Sequence, residues 1–175
     1  MSEPPHIQSR GPRLHVDHAS GRTVLIAPRR DDRPADADLA DGGGPPVAWC
    51  PFCAGNESRT PPAVVQVPDT PSTAWRARIV PNRYPFVEPA PAAAAGGGRP
   101  AHGEHEVVIE SPRHDTSVLA IEPGGWQDAW ELVRRRLAML ASRADLAWGT
   151  VFKNSGPRAG ASLEHVHSQL VAIDF

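Results

Sequence analysis

The chain has 175 residues, 40% of them apolar, enough to bury a real core within one domain. A net charge of −2 argues against bulk electrostatic binding of nucleic acid or of an anionic membrane surface. Arginine replaces lysine everywhere except at Lys153; with 20 prolines, this reads as the mark of a GC-rich coding sequence rather than of phosphate recognition. Met1 to His6 has no basic stretch leading into an apolar run, so no secretory signal is expected, and no apolar segment is long enough to span a bilayer. A cytoplasmic location follows as the expectation.

In chain order, Leu14–Asp17 and Arg22–Ala27 flank the small-residue turn Ala19-Ser20-Gly21 and predict a hairpin. Residues 31–46, rich in Asp, Ala, Gly and Pro, predict an exposed loop. Strands are expected at Ala63–Val67, at Trp75–Val80 up to Pro81, and at Glu104–Glu110 around Val107-Val108-Ile109. The Ala/Gly/Pro stretch 89–100 reads as a mobile surface loop. Trp126, Ala129, Trp130, Val133, Leu137 and Leu140 recur at helical spacing and predict one long amphipathic helix, with Arg134, Arg135 and Arg136 on its solvated face. Strands at Asp145–Lys153 and His165–Ile173 close the chain. The order β-β-loop-β-β-β-α-β-β predicts an α+β domain on an antiparallel sheet.

Only two cysteines occur, as Cys50-Pro51-Phe52-Cys53. This is the knuckle spacing of a tetrahedral zinc site, which needs two further ligands; histidine is the natural source, and eight are present. A redox role would place the motif at the start of a helix, and Ala54-Gly55-Asn56-Glu57 followed by Pro61-Pro62 does not read as one. Zinc is the preferred reading, with redox chemistry the alternative.

The last motif joins a small-residue loop, Gly156 to Ser162, to His165-Val166-His167-Ser168-Gln169. In an extended strand, side chains two apart share a face, so His165, His167 and Gln169 would point the same way. Glycine-bearing loops present backbone N–H groups to anions. Together these suggest histidine chemistry on a phosphate.

Four segments carry a resemblance: Cys50–Glu57, Arg78–Pro85, Gly103–His114 and Asn154–Gln169 are similar, in order and spacing, to galactose-1-phosphate uridylyltransferases of the histidine-triad superfamily. The resemblance implies a histidine-triad-like N-terminal half, residues 1–175 forming one domain and the C-terminal half missing. It implies transfer of UMP from UDP-glucose to galactose 1-phosphate through a uridylyl-histidine on His167. Gln169 would hold a phosphoryl oxygen without offering a proton, which favours transfer over hydrolysis. The implied zinc ligands are Cys50, Cys53, His114 and His165; without the resemblance, His114 reads rather as an ordinary surface histidine. Asn82, Arg83 and Tyr84 would contact the nucleotide, and Asn154, Gly160 and Ser162 its phosphates. Arg30 and Arg33 resemble an arginine pair that, in the family, reaches the nucleotide from a neighbouring subunit, although Asp31 and Asp32 also fit a solvated loop.

The implied partners are a nucleotide sugar and a hexose 1-phosphate, with either a homodimer or a separate C-terminal half completing the sheet. Val166 departs from the family, which usually has proline there, and resembles adenylyl-transferring relatives. The alternatives are therefore an ADP-glucose or dinucleoside-polyphosphate phosphorylase using the same histidine, a non-catalytic nucleotide-binding half that needs a partner chain, and a compact hydrolase.

Overall fold

Strand β1 (Arg13–Asp17) pairs antiparallel with β2 (Arg22–Ile26), the hairpin expected from the sequence. Gly21 closes the turn at φ +70°, a left-handed conformation that costs glycine no Cβ clash. The computed structural model describes residues 11–32, 47–70, 74–89 and 98–174. Most of the two expected loops, 33–46 and 90–97, lies outside the described residues. The rest of the second is ordered: β5 (Arg99–Pro100) pairs with β1, so a three-stranded sheet forms in the order β2-β1-β5.

Five further strands build the main antiparallel sheet, in the order β3-β4-β6-β8-β7. They are β3 (Val65–Val67), β4 (Ala77–Pro81), β6 (Gly103–Ile109), β7 (Trp148–Phe152) and β8 (His167–Ile173). The register sets Val107 opposite Gln169 and Ile109 opposite His167. Because side chains alternate, this parity sorts the two faces. Ile79, Val108, Leu170 and Ala172 turn to the helix, while Val80, Val107 and Ile109 turn to a second cluster with Cys50, Phe52 and Trp75. Both faces of β6 are thus covered, which explains why six of its seven residues are buried, His105 and Glu106 among them. His167 and Gln169 project from the second face, and the site is built there.

Helix α1 (Pro123–Ala141) starts with proline in its first turn, where the missing N–H costs nothing, and lies across β3, β4, β6 and β7. Its buried residues are Ala129, Leu132, Val133 and Leu140. The predicted stripe is therefore rotated by about 50°, taking 3.6 residues per turn. Leu132 reaches the centre of the core, while Trp130 is pushed to the rim, 50% exposed and stacked edge-on against Trp126. The same rotation brings Arg136 inward. Arg134 and Arg135 stay on the solvated face as expected, but Arg136 forms a forked pair with Glu106, Nε lying 3.0 Å from both carboxylate oxygens.

Glu106 is 1% exposed. Burial pushes its carboxyl upward from the usual range, and the Arg136 guanidinium opposes that shift. Arg136→Ala would leave a buried carboxylate without its cation, at a cost of about 3–5 kcal/mol. A urea melt should show a lower midpoint with unchanged slope. A variant as stable as the wild type would mean that the pair is solvated.

Candidate active site and metal centre

The Cys50–Cys53 turn is tied at both ends by backbone hydrogen bonds. Cys53 N–H donates to Cys50 C=O (3.3 Å), and Ala54 N–H reaches Pro112 C=O (2.9 Å) in the loop after β6. That second bond joins the knuckle to the segment bearing His114. The segment bearing His165 is tied to the same loop, because Val166 N–H donates to Asp115 C=O (2.7 Å). Proline at 166 could not make this bond, so the valine has a structural use.

Four side chains converge as a result. Single ligand atoms from Cys50, Cys53, His114 and His165 all lie within 4.8 Å of one another. Cys50 Sγ is 3.5 Å from His165 Nδ1, Cys53 Sγ 3.4 Å from His114 Nδ1, and Cys53 Sγ 3.6 Å from His165 Nδ1. His165 Nε2 lies 3.0 Å from Ser111 C=O, which can only accept, so the proton sits on Nε2 and Nδ1 offers its lone pair to the thiols. Burial pushes His165 down to about 4 and so keeps the ring neutral. Burial, together with Cys50 alongside, pushes the Cys53 thiol up to about 12. Two sulfurs and two imidazole nitrogens facing inward at these spacings could hold a metal ion, and a cation among them would reverse the shift at the thiol.

The adjoining pocket has a volume of about 320 Å³. Arg30, Asn82, Arg83, Tyr84, Ser162, His167 and Gln169 line it together. His167 stands at the first residue of β8, and its Nδ1 lies 2.8 Å from His165 C=O. That carbonyl requires an N–H on Nδ1, so Nε2 carries the ring's lone pair. Phe52, from the knuckle, packs edge-on against both imidazoles, with centroids 5.8 Å from His165 and 5.2 Å from His167. Behind His167, Lys153 Nζ donates to its carbonyl oxygen (2.8 Å) and pairs with buried Glu110, which also accepts from Ser168 Oγ.

Several expectations are sharpened. His165 lies in a bend before β8 rather than within the strand, so the backbone bend, not alternation, brings its ring to the thiols. His167 and Gln169 do share a strand face. Ser162 reaches the pocket; Asn154 and Gly160 belong to the same loop but are not among its lining residues, and Gly160 serves the turn at φ +77°. Arg30 donates to Tyr84 C=O (2.9 Å), lies against the Phe86 ring and is among the residues lining the pocket. Arg33 falls outside the described residues.

Sequence reasoning missed Trp49 and Arg59, which stack at 4.3 Å on the pocket wall, and His105, hydrogen-bonded to Gln169. No spacing rule singles these out; only the tertiary structure does.

Residues 97–175 match the family described as galactose-1-phosphate uridyl transferase, N-terminal domain. An ADP-glucose phosphorylase of Arabidopsis thaliana is 32% identical over 193 residues, a match covering 99% of this chain and 55% of that protein. A crystal structure of an ADP-glucose phosphorylase from Arabidopsis thaliana with bound ADP-glucose superposes with a TM-score of 0.64 at 31% identity, covering 95% of this chain and 50% of the other. A uridylyltransferase structure gives a TM-score of 0.66 at 27% identity, covering 93% and 46%. The chain spans about half the length of the relatives it matches. With the α+β fold and the knuckle-to-histidine order in place, it belongs to the galactose-1-phosphate uridylyltransferase family, as the N-terminal half of that fold.

Proposed function

We propose that this chain is the nucleotidyl-carrying half of a nucleotidyltransferase acting on nucleoside diphosphate sugars, with His167 as nucleophile. One observation carries the reading: His167 Nδ1 donates to the carbonyl of His165, which places the neutral ring's lone pair on Nε2 in a side chain that lines the pocket. A neutral imidazole in that tautomer can attack phosphorus without first losing a proton. A P–N bond forms at the α-phosphorus as the P–O bond to the sugar 1-phosphate breaks, the leaving oxygen keeping the electron pair. An acceptor phosphate oxygen then attacks the same phosphorus, and the P–N electrons return to Nε2. Gln169 would hold a phosphoryl oxygen, and Arg30, Arg83 and Ser162 supply further donors around it. Asn82 and Tyr84 line the nucleotide side, with Asn154 and Gly160 shaping the loop above the phosphates.

The adenylyl group is favoured, because the relative at 32% identity is an ADP-glucose phosphorylase, and Val166 agrees with that branch. In that case the acceptor is inorganic phosphate. The uridylyl reading, with galactose 1-phosphate as acceptor, is supported by the likeness to uridylyltransferase over 93% of the chain.

Zinc is the proposed ion for Cys50, Cys53, His114 and His165. Zinc–sulfur and zinc–nitrogen bonds of about 2.3 and 2.0 Å at a tetrahedral angle imply a sulfur-to-nitrogen edge of about 3.5 Å. The observed 3.4, 3.5 and 3.6 Å fit without rearrangement. Its role would be to anchor the segment that aims His167. Thiolate ligands suit a reducing compartment such as the cytoplasm, and no helix among the described residues is long and apolar enough to cross a membrane. A second half, on a longer chain or from another copy, would complete the enzyme.

The test is intact mass after incubation with ADP-glucose and, separately, UDP-glucose. Gain of one AMP or one UMP supports transfer and names the base. No adduct from either sugar nucleotide, with the nucleotide still bound, would reduce the chain to a binding module.

A further inference from the structure

His105 has no part in the chemistry above, yet it is 3% exposed and lies two residue pairs along from the Val107–Gln169 partners, on the same face of the sheet. Phe86 N–H donates to its Nδ1 at 3.2 Å. A backbone N–H cannot rotate away or accept, so Nδ1 must be bare, and the neutral ring then carries its proton on Nε2. Nε2 lies 2.8 Å from Gln169 Oε1. Asn82 Nδ2 is also 3.0 Å from Nε2, but Asn82 Oδ1 accepts from Tyr84 N–H (2.9 Å). Asn82 therefore turns an amino group to the ring, and an amide NH2 cannot take the ring proton. Of these two neighbours of Nε2, the Gln169 carbonyl is the one that can accept. If the Gln169 amide were turned over, its NH2 would face an N–H and a second NH2 with no acceptor among them.

We propose that His105 is a positioning residue that locks the Gln169 amide with its carbonyl inward and its NH2 toward the pocket beside His167. The inference rests on the reading of Gln169 as the holder of a phosphoryl oxygen. An NH2 presented there donates to that oxygen, whereas a carbonyl would repel it. The relay runs from Phe86 N–H through the imidazole to the Gln169 amide, each donor strengthening the next. Its register comes from β6 and β8, so the amide is oriented before any nucleotide arrives.

Two measurements on the full chain test this. Nitrogen-15 NMR of the histidine rings, assigned with His105→Phe, should show Nδ1 of His105 without a proton and Nε2 with one. A protonated Nδ1 overturns the proposal whether or not the protein turns over any substrate. Rates of nucleotidyl-adduct formation from ADP-glucose or UDP-glucose are then compared for wild type, His105→Phe, Gln169→Ala and the double variant. His105→Phe should slow adduct formation about tenfold while changing AMP or UMP affinity much less, the signature of lost alignment. In the Gln169→Ala background it should have no further effect, because nothing is left to position. Independent, multiplying losses would show that His105 acts through packing instead. Absence of any adduct in the wild type would defeat the transfer reading, and the ring tautomer would still decide the fate of the lock.

Discussion

Replacing His167 with alanine is expected to eliminate the nucleotidyl adduct and to lower turnover by roughly four orders of magnitude or more, the scale seen when a nucleophile is deleted. The imidazole is half-buried and donates to His165 C=O, but the strand behind it keeps its ladder to β6 and β7. The variant should therefore fold, and nucleotide affinity should survive, since Arg30, Asn82, Arg83 and Tyr84 line the pocket independently of the ring. Calorimetry with AMP or UMP beside intact mass after ADP-glucose or UDP-glucose separates the two properties. An adduct that persists in His167→Ala would move the covalent chemistry to another side chain. Lost binding without lost chemistry in the residual turnover would make His167 a ligand contact only.

Removing the proposed zinc from the Cys50–Cys53–His114–His165 cluster with a chelator is expected to cost on the order of 3–5 kcal/mol of stability, as is Cys50→Ser. For a chain of this size that is a drop in Tm of roughly 10 °C. Cys50 and His165 are fully buried, and the cluster shares its core with Phe52, Trp75 and Val80, so the loss should spread into the second core rather than fray a loop. Re-addition of zinc should restore the melt of the chelated wild type but not that of Cys50→Ser. A freshly purified chain with no stoichiometric metal and a chelator-independent melt would show that the four side chains hold one another by hydrogen bonds alone. Since Phe52 touches both His165 and His167, metal loss should also slow adduct formation. An unaffected rate would uncouple the knuckle from the nucleophile.

The hairpin, the strands of the main sheet and the existence of α1 were legible because each leaves a local signature: a period of two, a period near four, or a turn residue. The face of α1 was harder. Trp130 and Leu132 are both apolar, and the stripe drawn through Trp126 and Trp130 was as regular as the true one through Ala129, Leu132 and Leu140. The observed face buries Leu132 in the core and at the same time sets Arg136 against the buried Glu106 carboxylate, a long-range pairing that no local period announces. Strand β5 offered no alternation at all, and it exists only because β1 supplies an edge for it.

Within the site, residue types and spacing already pointed to a phosphate-handling histidine and half a metal shell, since knuckles and His-x-His-x-Gln runs are chemical patterns carried by neighbouring residues. The resemblance supplied the other two proposed ligands. What no linear pattern contains is the state of each ring. Cys50 and His165 are 115 positions apart, and His105 and Gln169 are 64 apart. Which nitrogen keeps its proton on His105, His165 and His167 is decided by a backbone group from another segment or turn: Phe86 N–H, Ser111 C=O and His165 C=O respectively. The order of the residues specified the chemistry available to this protein. Only the folded arrangement, by setting an obligatory donor or acceptor against each imidazole, determined which nitrogen of each ring keeps its lone pair.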